Sequence, residues 1–387
     1  MIVSYFGTDE TAAERALKFN SKKQRYQFYR SLDDISMNII EQSLFIILSD
    51  MTHCQEDFNI LCQYGVNPIR IKFFENIEWR LGCSFLGQYL WFGRTYYRSC
   101  VYRNGEYLNK DYSGNIQKDF IEIKNCWEKT INRWRKKEST PCDGCFLLKE
   151  HLWPRNVELK SLSLYGGFKG ESCNFKCIYC DATDNLKMAK SKNNITMLDA
   201  IEAFIDNANK NFSVALSAGE ITISPYKNKI FRLLKRKNIR ISIFSNGYIF
   251  DQNIYDALTH NNSINISLDS GTPETFKMIK KIDGYYQVLE NISRYSKSGG
   301  KIELKYIILE GINDNEKDIH GFVSVCQQYA SSVRISCNKF KYKKQLSEQS
   351  ISLIKLIVDN CQKSSIPVSF SYSQFNQQDC YRLRDLL

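Results

Sequence analysis

Between residues 160 and 385 the chain alternates short apolar, β-branched runs with amphipathic stretches of helical period. Strands are expected at 161–165, 213–217, 240–244, 264–268, 302–309, 333–337 and 367–370. Helices are expected between them at 198–209, 227–237, 273–281, 285–295, 318–329 and 347–361. Strand–helix alternation of this kind predicts right-handed crossovers and a parallel sheet, here a barrel or part of one. Chemistry on such a scaffold collects at the C-terminal ends of the strands. The residues that follow each predicted strand therefore carry the functional argument.

Behind the first strand, after Gly166 and Gly167, comes Cys173-Asn-Phe-Lys-Cys177-Ile-Tyr179-Cys180. Three thiols on one loop, spaced by three and then two intervening residues, can turn toward one metal centre, as in iron–sulfur ligation. Three local ligands leave one iron of a [4Fe-4S] cube open for a substrate or cofactor. A zinc knuckle would require a fourth ligand nearby, and no His lies close to the triplet. The chain has 14 cysteines and no signal-peptide pattern at its N-terminus, which points to reduced thiols and metal binding, not a disulfide scaffold.

The C-x3-C-x2-C loop with its aromatic Tyr179 resembles that of the radical SAM superfamily, and the later strand ends extend the resemblance. Ala218-Gly219-Glu220 is similar to the family's Gly-Gly-Glu-Pro segment, with Ala218 in place of the first glycine and Ile221 in place of proline. Ser245-Asn246-Gly247 matches its Ser/Thr-Asn-Gly turn, and Ser267-Leu-Asp269 its Ser-Leu-Asp turn. Leu309 to Asp314 resembles the loop after the fifth strand. The resemblance implies a partial (β/α)6 barrel in which Cys173, Cys177 and Cys180 bind a [4Fe-4S] cluster with one open iron. It also implies that Tyr179, Ala218, Gly219, Glu220, Ser245, Asn246, Ser267, Asp269 and Leu309 bind S-adenosyl-L-methionine. Reductive cleavage of that cofactor would give a 5′-deoxyadenosyl radical that takes a hydrogen atom from the substrate.

Upstream, two further domains are expected before the core of 151–387. Residues 1–78 read as a small α/β unit, with strands at 2–6, 43–48 and 68–73 and helices at 8–19 and 55–63. The layout resembles the Rossmann-like domains that sit beside sugar-modifying enzymes. Its first loop, however, offers one glycine and then Asp9 and Glu10, and carboxylates at a helix N-terminus compete with an anion for the same dipole. A scaffold or partner-binding role is expected there, without nucleotide binding. Residues 79–150 carry an aromatic hairpin around Gly93, a charged helix with Trp127 and Trp134, and Cys142-x-x-Cys145. Together with Cys83, Cys100 and Gly114-Asn-Ile this resembles a twitch (half-SPASM) module. The resemblance implies a second [4Fe-4S] cluster on Cys83, Cys100, Cys142 and Cys145, while a four-cysteine zinc site has the same ligand count. The fold class is thus α/β, a radical SAM barrel preceded by a twitch-like module and a Rossmann-like domain.

The formal charge of +11 is spread along the chain, so a solvated face comes first, an anionic substrate second and nucleic acid third. No apolar run approaches a membrane span, and a cytoplasmic protein is expected. The implied activity is an oxidoreductase or epimerase reaction on a carbohydrate or sugar-nucleotide precursor, with an electron donor such as flavodoxin or ferredoxin. Maturation of a ribosomally made peptide is the alternative, and a non-catalytic iron–sulfur sensor is the reading from another class. Cys337, at the end of the sixth barrel strand, is the candidate thiol that could return a hydrogen atom in an epimerase; packing in the core is the other account of it.

Overall fold

The computed structural model describes residues 2–6, 25–29, 43–48, 54–67, 70–73, 77–83, 85–93, 96–100, 109–145, 147–180, 194–205, 212–338 and 345–386. Two compact units emerge: residues 1–84 with 127–158, and residues 85–126 with 159–387. The expected boundaries at 79 and 151 are not where the chain divides. Residues 79–150 are split between the units, the cut falling inside the helix Ile116–Arg135.

In the first unit, strands β1 (Ile2–Phe6), β2 (Arg25–Tyr29), β3 (Ser43–Leu48) and β4 (Ile71–Phe73) form a parallel sheet in the order β2-β1-β3-β4. Here β2 is a strand that the sequence pattern did not reveal. The helix Cys54–Gln63 lies between β3 and β4 in the chain. Strand β5 (Ile77–Gly82) pairs antiparallel with β9 (Lys149–Pro154). The loop at 7–10 and the helix expected at 8–19 lie outside the described residues.

The second unit is built on a ten-stranded sheet. Its parallel part runs β10 (Ser161–Leu164), β11 (Ser213–Leu216), β12 (Arg240–Ser245), β13 (Ser263–Ser267), β14 (Lys301–Ile308), β15 (Ser332–Cys337) and β16 (Val368–Phe370), each beside its neighbour in sequence. These are the seven strands expected from the pattern, each within a residue or so of its expected ends. Right-handed crossovers in unbroken strand order keep the connecting helices on one face, as in a partial barrel. The fold is α/β with a mostly parallel sheet. A short helix, Gln252–Ala257, and a C-terminal one, Gln377–Arg384, were not anticipated.

The aromatic hairpin does not stand alone. Strand β6 (Tyr89–Phe92) pairs parallel with β10, and β7 (Tyr96–Arg98) and β8 (Asn109–Asp111) extend that edge antiparallel. A hairpin read from sequence as part of a separate module therefore completes the sheet of the core.

Alternation along the strands distinguishes the two faces of this sheet. On β14, Ile302, Leu304 and Tyr306 are buried, and the Tyr306 ring lies 4.6 Å from that of Phe322 on the helix Glu316–Tyr329. That face is the helix-covered one. Glu303 and Lys305 point to the other, inner face, because successive side chains alternate. The inner face carries the polar side chains Ser163, Ser242, Asn265, Ser267, Glu303, Lys305 and Arg334 beside Ala215, Phe244 and Ile307, whereas the helix face is mostly apolar. Among the described residues no helix is long and apolar enough to cross a membrane.

Candidate active site

The cysteine loop leaves the end of β10 and passes over the ends of β11 to β14. Cys173, Cys177 and Cys180 are half-buried. The Cys180 amide closes a turn onto the Cys177 carbonyl at 3.0 Å, and the Phe175 amide points at Cys173 Sγ at 3.4 Å. Burial raises the Cys173 thiol to about 11 and raises Cys177 as well, with Lys280 opposing the rise at Cys177. Thiols held this way become thiolates when a cation compensates them, as metal binding does. Beside them, Asn174 Nδ2 is buried and has no acceptor among the described residues. Three thiols on one loop together with that unanswered N–H form a donor set that fits an iron–sulfur cluster. Among the described residues, no three His, Cys, Asp or Glu side chains are gathered as around a single metal ion.

Three contacts hold the loop. Phe175 is buried with its ring 5.6 Å from Tyr248 and 6.2 Å from Phe276. The Ile178 amide donates to the Ile279 carbonyl at 3.0 Å, at the end of the helix Pro273–Lys280. Ile178 and Tyr179 also pack on Ile279, Ile307 and Leu309, so Leu309 lines the apolar bed of the loop.

The third contact is polar. Tyr179 Oη donates to Asp269 Oδ2 at 2.7 Å, and Lys280 Nζ donates to Tyr179 Oη at 2.7 Å and to Asp269 Oδ2 at 2.5 Å. The Ile307 amide donates to the other oxygen, Asp269 Oδ1, at 2.7 Å. Asp269 is fully buried, in the left-handed region at φ 59°, which Asp tolerates better than most residues. Asn313, also fully buried, donates from Nδ2 to the Asp269 and Ile307 carbonyls. Asp269 thus spends its carboxylate on the cysteine loop and on β14, not on a site open to solvent. Ser267, two residues earlier, lies half-buried at the strand end.

Glu220 plays a similar part on the opposite side. Its side chain is buried, and Oε1 accepts from the Thr222 amide (3.1 Å), Thr222 Oγ1 (2.9 Å) and Ser245 Oγ (3.0 Å). Oε2 accepts from the Asn246 amide at 2.7 Å. Burial raises this carboxyl despite those donors. Asn246 carries the chain of contacts on: its Nδ2 reaches Asn174 Oδ1 at 2.7 Å and faces Cys173 Sγ at 3.9 Å. Gly219, at φ 58°, lies so close to the loop that an added Cβ would stand 2.5 Å from the Ser172 carbonyl oxygen. Ala218 is buried next to it, on the wall of a small cleft that Gly170, Ser172, Glu220 and Tyr226 also line.

Four of the five strand-end motifs thereby meet around one loop, joined by the apolar bed at Leu309. Lys280 and Asn313 were missed as partners. The signal for Lys280 was slight: it stands one turn after Phe276 on the buried side of its helix, where a lysine is out of place.

Cys337 falls elsewhere. It shares the phase of Val333 and Ile335, the helix-covered face of β15, and its Sγ donates to the Gln374 carbonyl. Burial raises this thiol to about 12. Alternation places Arg334 and Ser336 on the inner face and turns Cys337 away from it, so the expectation of a thiol at the barrel mouth is corrected. Of the four thiols expected to share a second cluster, Cys83, Cys142 and Cys145 belong to the first unit and Cys100 to the second. Cys142 and Cys145 sit on one turn, its Thr140 and Asp143 tied by hydrogen bonds, with the Cys145 amide 3.0 Å from the Cys142 carbonyl.

Residues 169–323 match the Radical SAM superfamily. Over 172 residues the chain is 29% identical to GTP 3',8-cyclase of Aliarcobacter butzleri (strain RM4018), a stretch covering 42% of this chain and 51% of that protein. Over 171 residues it is 25% identical to a UPF0026 protein of Helicobacter pylori (strain ATCC 700392 / 26695), covering 41% of this chain and 56% of the relative. The chain spans about half the length of these curated relatives. Among solved structures, Streptococcus suis SuiB bound to S-adenosylmethionine aligns with a TM-score of 0.42 at 13% identity, covering 68% of this chain and 55% of that one.

Proposed function

Residues 169–323 of this chain are a radical SAM domain, and from that premise we propose that the protein is an enzyme that abstracts a hydrogen atom from a substrate held inside the partial barrel. The observation that carries this reading is the docking of the Cys173–Cys180 loop on two buried carboxylates on either side of β12, Asp269 directly through Tyr179 and Glu220 by way of Asn246. When bound, a [4Fe-4S] cluster and S-adenosyl-L-methionine supply a 5′-deoxyadenosyl radical. Cys173, Cys177 and Cys180 are the ligands in this reading. Ala218, Gly219 and Glu220 face the methionyl end of the cofactor, Ser245, Asn246 and Ser267 its polar groups, and Leu309 with Tyr179 the adenine side. Asp269 and Lys280 act behind them, fixing Tyr179 and hence the loop.

The net reaction we favour is a two-electron oxidation of a carbohydrate or sugar-nucleotide precursor. The outward phase of Cys337 supports oxidation over epimerisation, because it removes the one thiol that sequence placed where a hydrogen atom could be returned. The second electron would go to an auxiliary [4Fe-4S] cluster on Cys83, Cys100, Cys142 and Cys145, and a flavodoxin or ferredoxin would reduce the first. A second reading, cyclisation of a nucleotide, is favoured by the similarity to proteins named GTP 3',8-cyclase. Peptide maturation follows these two.

The test uses anaerobically reconstituted full-length protein, a chemical reductant and S-adenosylmethionine. Formation of 5′-deoxyadenosine is expected, and its absence with a loaded cluster would overturn the reading. With GTP or a nucleotide sugar present, a product lighter by a hydrogen pair marks oxidation, whereas a cyclised product of unchanged mass marks the second reading.

A further inference from the structure

The inner face of the barrel carries more charge than the site described above uses. In the register of the sheet, Ser267 on β13 stands beside Lys305 on β14, and Lys305 beside Arg334 on β15. One step deeper are Asn265 and Glu303. Glu303 is fully engaged: it accepts from Arg334 Nε at 2.7 Å and Nη2 at 3.0 Å, and from Asn265 Nδ2. At the strand ends Asp269 is matched by Lys280. Two cations and two anions thus pair off, and Lys305 is left over. Among the described residues it has neither a hydrogen-bonded nor an ion-paired partner for its side chain.

Lys305 also sits in the layer next to the mouth: its own carbonyl accepts from the Asp269 amide at 3.2 Å, and Ser267, the neighbour in its row, ends β13. Desolvation lowers its ammonium from the ordinary lysine range, against the opposing pull of Asp269. A cation in such a place is costly unless something compensates it. Lys305 is half-buried, and with Glu303 and Asp269 both engaged its ammonium is left to solvent or to a ligand in the barrel.

We propose that Lys305 is a substrate-positioning residue that pairs with an anionic group, a carboxylate or a phosphoryl oxygen, of the molecule held in the barrel. The substrate class is thereby an organic anion whose charged end lies in the row of Ser267, Lys305 and Arg334. Its reactive carbon would then lie toward the cysteine loop. This inference rests on the radical SAM reading of the site.

The test is calorimetric, on the reconstituted full-length protein, with pyrophosphate as the phosphoryl probe and succinate as the carboxylate probe. The parent is expected to bind one of them at a single site. Lys305→Met should weaken that binding about tenfold or more, as loss of one partner of a desolvated charge pair does. Lys305→Arg should retain it, and the exposed control Lys235→Met should leave it unchanged. S-adenosylmethionine affinity should be the same throughout. If Lys305→Met proves unstable, Lys305→Gln makes the same comparison with a polar side chain. The proposal is overturned by a parent that binds neither probe, by a Lys305→Met or Lys305→Gln variant that binds the probe as tightly as the parent does, or by a parallel loss of S-adenosylmethionine binding. Intact probe binding without any S-adenosylmethionine cleavage would instead remove the radical SAM reading and leave the anion seat.

Discussion

Lys280 Nζ lies 2.5 Å from Asp269 Oδ2, with the lysine side chain 1% and the aspartate 0% exposed. The pair is bridged by the phenol of Tyr179, whose own ionisation burial suppresses. A residue inside the C-x3-C-x2-C loop is thus tied by two hydrogen bonds to a charge pair that the loop does not contain. Removing Lys280 leaves a buried, uncompensated carboxylate. Lys280→Met should cost about 3–5 kcal/mol of stability and lower the iron retained after reconstitution. Asp269→Asn should be similarly costly, since it leaves the Lys280 ammonium buried and uncompensated, and the double variant Lys280→Met/Asp269→Asn should lose less than the two single changes added together. Thermal unfolding and iron analysis of the three variants check this, and strictly additive losses would show that the charge pair is not the organising interaction.

Gly219 holds a left-handed backbone shape that most side chains disfavour, at a place where a Cβ has no room. At φ 58°, and with Ser172 oxygen 2.5 Å from where a Cβ would stand, Gly219→Ala is strained in conformation and in contact. The conformational part alone costs about 1–3 kcal/mol. The loop should shift rather than the strand, so the variant is expected to load less iron while the parallel sheet keeps its far-UV circular dichroism.

Glu220 accepts four hydrogen bonds from Thr222, Ser245 and Asn246, and through Asn246 it reaches the Cys173 side of the loop. Glu220→Ala should weaken S-adenosylmethionine binding and also lower stability, by about 1–3 kcal/mol for the donors left unanswered. Glu220→Gln should recover part of the stability. A variant that binds the cofactor as tightly as the parent would remove Glu220 from the cofactor site and leave it a structural cap.

Replacing Cys173, Cys177 and Cys180 together by Ala should abolish reductive S-adenosylmethionine cleavage. In the proposed two-cluster protein it should also leave about half the iron, held by Cys83, Cys100, Cys142 and Cys145. An iron-free triple variant would remove the auxiliary cluster from the reading.

Cys337→Ala should cost about 1 kcal/mol, for the lost hydrogen bond to Gln374 and some packing. Production of 5′-deoxyadenosine should be unchanged, because the thiol is on the helix-covered face. Loss of cleavage in a folded variant would contradict that placement.

The order of strands and helices from 160 to 385, the cysteine triplet and the motifs behind successive strands could all be read from residues within a turn or a strand of each other. Hydrophobic period and ligand spacing are local properties, and they determined the α/β class and drew the cysteine loop and most of its neighbours onto one end of the sheet. What only tertiary structure decided is which distant groups meet. Lys280 finds Tyr179 across 101 positions and Asn246 finds Asn174 across 72, and neither partner marks its local sequence. The face taken by Cys337 turned on strand phase, where one residue of slip exchanges lumen for core. The hairpin at 89–98 has the same pattern whether it stands apart or adds to β10, because pairing at a sheet edge uses backbone groups that every residue has. Lys305 stands alone for a related reason: each charge in the barrel is written singly along the chain, and only the register of adjacent strands shows which ones cancel.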